Sequence, residues 1–115
     1  MVFHGILMKL FKTYKMKDEV IEFEGVDEEA LLLEMKVRER EMGTLLVKKT
    51  IWALENNKDE FIYAIHSKDD FIMAIKRDNF LDALEHNLDK MENYEEYELC
   101  KKSIEWIEYL NAEKI

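Results

Sequence analysis

Short apolar bursts broken by charged pairs run along this chain, and one burst is repeated. It reads Lys58-Asp-Glu-Phe-Ile-Tyr-Ala-Ile65, then Lys68-Asp-Asp-Phe-Ile-Met-Ala-Ile75, then Arg77-Asp-Asn-Phe-Leu-Asp-Ala-Leu84. The copies start ten and then nine residues apart. Polar breaks at that interval, around short runs rich in isoleucine and aromatics, predict strands, because a stable helix needs greater length. The expected meander has strands over 45–54, 60–66 and 71–76, with turns at Asn56–Asp59 and Ser67–Asp70. Read instead as short helices capped by Asp59 and Asp69, the same stretch gives an all-α domain. Both faces of the strands read apolar, so Phe61, Phe71 and Phe80 are expected in the core. The hairpin is then covered on both sides or joins a second chain.

Upstream, two β-type runs between Leu10 and Phe23 flank Lys17-Asp18 and predict a hairpin, with Ile21 and Phe23 on one face. Ile6, Leu7, Leu10, Phe11 and Tyr14 also fit a helical stripe. Gly25 ends this unit. Asp27 then reads as an N-cap with Glu28 and Glu29 in the first turn, where acids suit the helix dipole. The helix is expected to run to about Met42, with Leu31, Met35 and Met42 inward and Gly43 closing it. Downstream, the third copy changes period: Phe80, Leu81, Leu84, Leu88 and Met91 form a helical stripe that Asn93 interrupts. A last helix is expected over about 94–111, with Tyr97, Cys100, Ile104, Ile107 and Leu110 on the core face. The reading is a single small α+β domain over 1–115: a β-hairpin or meander and about three helices, the last two packed as a C-terminal pair. Met8-Lys9-Leu10 reads as a protein start, with residues 1–7 as an extension ahead of it.

Composition narrows the function classes. The 115 residues are 48% hydrophobic and 37% charged, a globular balance. No apolar run approaches the roughly 20 residues of a membrane span, and the apolar start is too short for a signal-peptide core. A lone cysteine, Cys100, forms no intrachain disulfide and suggests a cytoplasmic setting. There is no proline, and the three glycines make no phosphate-binding loop. The net charge of −9 is concentrated: residues 18–43 hold ten acids against three bases, and 78–98 hold eight against one lysine. Residues 1–17 carry four lysines and no acid. Two acidic blocks repel a phosphate backbone, so direct nucleic-acid binding is disfavoured.

Candidate chemistry is sparse. His86 shares a helix face with Asp82 and Asp89, a spacing able to hold a divalent cation, but a second His or Cys is missing. Cys100 is a nucleophile only if the fold brings His4 or His66 to it, and its place in an apolar stripe reads as a small hydrophobe. No metal, cofactor or catalytic residue is expected. The better prospect is the aromatic pair Trp106 and Tyr109, framed by Glu95, Glu98, Glu105 and Glu108, since Trp and Tyr dominate binding hot spots. The bland alternative packs Trp106 under the sheet and lays Tyr109 along the surface.

The expectation is therefore a small, acidic, non-enzymatic protein-binding protein, an inhibitor or accessory factor. Its composition has the look of small proteins of bacterial viruses and mobile elements. Its partner is a protein, basic or nucleic-acid-handling, whose groove the acidic blocks would occupy in place of a phosphate backbone. One alternative is a structural module that homo-oligomerises through the apolar hairpin. The other is a metal or thiol enzyme using His86 or Cys100.

Overall fold

A computed structural model describes residues 19–66 and 71–113. Strand β1 (Ile21–Phe23) leads to helix α1 (Glu28–Val37), which passes at Arg38 into helix α2 (Glu39–Glu55). Strands β2 (Glu60–His66) and β3 (Phe71–Lys76) follow, then a single 3₁₀ turn over 77–79. Helices α3 (Phe80–Asn93) and α4 (Tyr97–Glu113) complete an α+β fold. The sheet order is β1-β2-β3, with β1 parallel and β3 antiparallel to β2. The first strand of the hairpin expected over 10–23, the turn at 67–70 and the 1–7 extension lie outside the described residues.

Local chemistry accounts for the ends of the elements. Ile21 and Phe23 point to the same side of β1 and are buried, as two-residue periodicity requires. At Gly25 a Cβ would lie 2.6 Å from the Leu31 nitrogen, so only glycine admits this close approach of strand and helix. Asp27 caps α1, accepting the Ala30 N–H at 2.8 Å. Helices α2 and α3 end alike. Asn57 (φ 53°) and Glu95 (φ 62°) adopt left-handed backbone, while Lys58 and Glu96 donate back to the Ala53 and Met91 carbonyls. Glutamate is an uncommon residue for that conformation, which asparagine tolerates better.

Two expectations need correction. Residues 45–54 are helix, and Gly43 lies inside α2 instead of closing a helix. Once the helix runs through Gly43, the buried positions 43, 47, 50, 51 and 54 form one stripe of helical period. The break comes earlier, at Arg38 (φ −100°, ψ 19°). There the guanidinium forks onto Glu41 (2.7 and 3.0 Å) and reaches the Glu22 carbonyl (3.0 Å). Among the described residues the α-helices therefore number four.

The second correction concerns the rotation of α4. Cys100 and Ser103 are its buried positions, and Leu99, Trp106, Ile107 and Leu110 pack partly buried against the core. Tyr97 and Ile104, expected inward, are exposed.

Among the described residues two clusters form the core. The larger joins Val47, Ile51, Leu54, Phe61, Phe80, Leu84 and Met91 where α2, α3 and α4 meet the sheet, with the Phe61 and Phe80 rings 5.6 Å apart. The smaller contains Ile21, Phe23, Leu45 and Ala64, flanked by Leu31, Met35 and Met42 as the sequence predicts.

Candidate protein-binding surfaces

Helix α4 presents the aromatic pair. Trp106 is half-buried against the larger cluster, and Tyr109 is 55% exposed, meeting it edge-to-face at a centroid distance of 5.5 Å. Spacings of four and eleven residues put Glu105 and Glu98 on the Tyr109 side of the helix. Glu108 falls with Tyr97, Lys101 and Ile104 on another side, and Glu95 belongs to the left-handed cap ahead of the helix. Four of the six expected residues, Trp106, Tyr109, Glu98 and Glu105, thus share a flank, and Lys102, seven residues before Tyr109, lies on it too. Trp106 combines the two sequence readings, one edge in the core and the other supporting an exposed tyrosine.

A second surface escaped the sequence reading. Val26 and, on α1, Leu32, Leu33 and Val37 are each more than half exposed, while Leu31 and Met35 of the same helix face the core. Helix α1 therefore carries apolar residues on two sides, one packed on the smaller cluster and one exposed. On the hairpin, register places Ile72 opposite Ile65 and Ala74 opposite Ile62, and Ile72 is 57% exposed. Phe61 and Phe80 are core as expected; the Phe71 side chain is outside the described set.

The third feature is a groove along the seam of the antiparallel helices α2 and α3. Two adjoining hollows of about 500 and 610 Å³ share Leu46, His86 and Asn87. Met42 and Tyr63 line the first and Ile75 the second. Asp82 and His86 lie on its rim and are exposed; Asp89 does not line it. No group of three His, Cys, Asp or Glu side chains among the described residues is placed to share a metal ion.

Buried polar groups serve the fold. Lys49, 1% exposed, donates from Nζ to the Glu19 carbonyl at 2.7 Å and to that of Ile62. His66 Nε2 lies 2.7 Å from the Gly25 carbonyl, and the Glu34 carboxylate accepts the Glu24 and Gly25 N–H groups at 3.0 Å. Burial pushes the Cys100 thiol above its ordinary range, with Glu92 and Glu96 adding to the shift, so it stays protonated at neutral pH. Among the described residues no helix is long and apolar enough to cross a membrane. Comparison with protein-family models, curated proteins and solved structures found no match.

Proposed function

We propose that this protein acts by binding another protein, without catalysis, through the Trp106–Tyr109 flank of α4 and the acidic surface beside it. The observation that carries the reading is an aromatic pair held edge-to-face, one ring anchored in the core and the other 55% exposed. Such a pair has lost its freedom before binding, and rigid aromatics contribute disproportionately to interfaces. Glu98 and Glu105 outnumber Lys102 on the same flank and, with Asp89, Glu92 and Glu96 on or just after α3, favour a basic partner. A nucleic-acid-handling protein fits that charge, with the acidic surface standing where a phosphate backbone would. A protonated Cys100 agrees with the non-catalytic reading.

The test is capture by the tagged protein from a bacterial lysate at low and moderate salt, read by mass spectrometry. One basic partner in stoichiometric amount, eluted by salt and weakened by Glu98→Gln with Glu105→Gln, is the expected result. A second reading, homo-oligomerisation, is favoured by exposed Leu32, Leu33 and Val37 on α1 and by Ile72 on the hairpin. It predicts recovery of the bait alone and a sedimentation mass that rises with concentration.

A further inference from the structure

Gly43 is the residue the fold leaves unexplained. It sits inside a 17-residue helix, where glycine is the poorest former after proline, and no glycine among the described residues has positive φ. Close packing does not demand it either. A Cβ built there meets Asn87 Oδ1 at 3.5 Å and Met91 Cε at 3.8 Å, ordinary contacts that alanine would make without displacing anything. Gly43 is itself buried, and it lines the hollow that Met42 and Tyr63 share, next to Asn87, which both hollows reach.

The groove has the dimensions and charge of a site for one kind of ligand. Its α3 wall runs from Asn79 to Lys90, about three helical turns or 16 Å. Met35, Met42, Leu46, Tyr63 and Ile75 supply apolar lining, with the methionines able to repack against varied side chains. The two ends differ in sign. Asp82 and Glu85 line the end near Ile75 without any lysine or arginine. Lys36 and Lys90 line the other, where Glu39 lies 3.8 Å from Lys90.

We infer that this groove receives an amphipathic helix of a partner protein, about three turns long. Its apolar face packs on the methionine-lined seam, its basic end lies over Asp82 and Glu85, and its acidic end lies over Lys36. This is the helix-in-groove mode of recognition, with the opposed charges fixing the direction of the bound helix. The site is separate from the Trp106–Tyr109 flank and does not depend on it.

The probe is a fluorescently labelled three-turn peptide with leucines three and four apart, glutamates at its first turn and arginines at its last, the order that suits the helix dipole; a control carries glutamines in place of the arginines. Anisotropy should show the first binding at least ~10-fold more tightly, a factor worth about 1.4 kcal/mol. Asp82→Lys with Glu85→Lys should remove that preference, and Tyr109→Ala should leave it unchanged. Gly43→Ala gives the decisive pair of readings. It should raise the melting temperature by about 2–4 °C, as relief of a helical glycine does, while weakening peptide binding several-fold. Equal binding of the two peptides, binding of neither, or a Gly43→Ala protein that binds as well as the parent overturns the inference. Concentration-dependent self-association lost in Gly43→Ala would assign the groove to a second copy of the chain and overturn it equally.

Discussion

The two core clusters are built by different means. The helical half buries nine apolar residues around Phe61, Phe80, Leu84 and Met91, and its stability is a matter of area and close packing. The half around β1 and α1 buries four, and it is tied together by polar groups reaching backbone: Lys49 to two carbonyls, Glu34 to two N–H groups, Arg38 to the Glu22 carbonyl. A small apolar cluster leaves β1, only three residues long, weakly held by packing, and the side-chain links supply the remainder. Such links respond to pH and to loss of a single atom in ways that an apolar core does not.

Substitutions can break that contrast. The largest effect is expected from Phe80→Ala, which empties the centre of the helical half and should cost about 3–5 kcal/mol in chemical denaturation. Lys49→Ala should cost about 3 kcal/mol by orphaning two carbonyls, and hydrogen exchange should rise first in β1 and β2. If Lys49→Ala is neutral, the polar-link account of this half is wrong. Ser103 reverses the sign in the apolar half. Its hydroxyl is fully buried and is the one such side-chain oxygen or nitrogen among the described residues without a hydrogen bond. Ser103→Ala should therefore stabilise by about 1 kcal/mol.

The smallest effect concerns pH. Arg38, hydrogen-bonded to Glu41, holds the Glu41 carboxyl below its ordinary range. A carboxyl depressed in the folded state stabilises above its unfolded pKa, and that contribution is lost as pH falls through the folded value. Because the pair is largely solvated, Glu41→Gln should remove only a few tenths of a kcal/mol near neutrality. The deficit should vanish at a pH below the carboxylate range. A deficit that persists there would mean that Glu41 acts through packing.

The sequence was most legible where a residue's role depends on neighbours within a turn or two. Asp27, the turn before β2, the two strands and the stripe of α3 were all readable from spacing. Gly43 was not, because whether a glycine ends a helix or lines a groove within it depends on Asn87 and Met91, more than forty residues away. Misplacing that end turned the stripe at 47, 50, 51 and 54 into an expected strand. Burial of Ser103 has a similar effect on α4: a polar residue at the centre of the buried face hides the true stripe, so Tyr97 and Ile104 read as inward. Lys49 carried a weak local signal, lying four residues after Leu45 and four before Ala53, both buried. The α2–α3 groove draws on five helices and strands distant in sequence, which no local pattern reports.

The repeated burst shows the same limit. Copies one and two became strands and the third a helix, although all three keep an aromatic and an alanine at matched positions. Leucines in place of isoleucines tip the third towards helix, and Asp82, where the others have Tyr63 or Met73, falls in the first turn and suits the helix dipole.

The most direct test of the central claim is Tyr109→Ala in lysate capture. The side chain is exposed, so its removal should leave the melting temperature within about 1 °C of the parent, as expected for a surface substitution. The account predicts loss of the salt-eluted basic partner from an otherwise intact protein. Undiminished capture, or a protein that no longer folds, would contradict it.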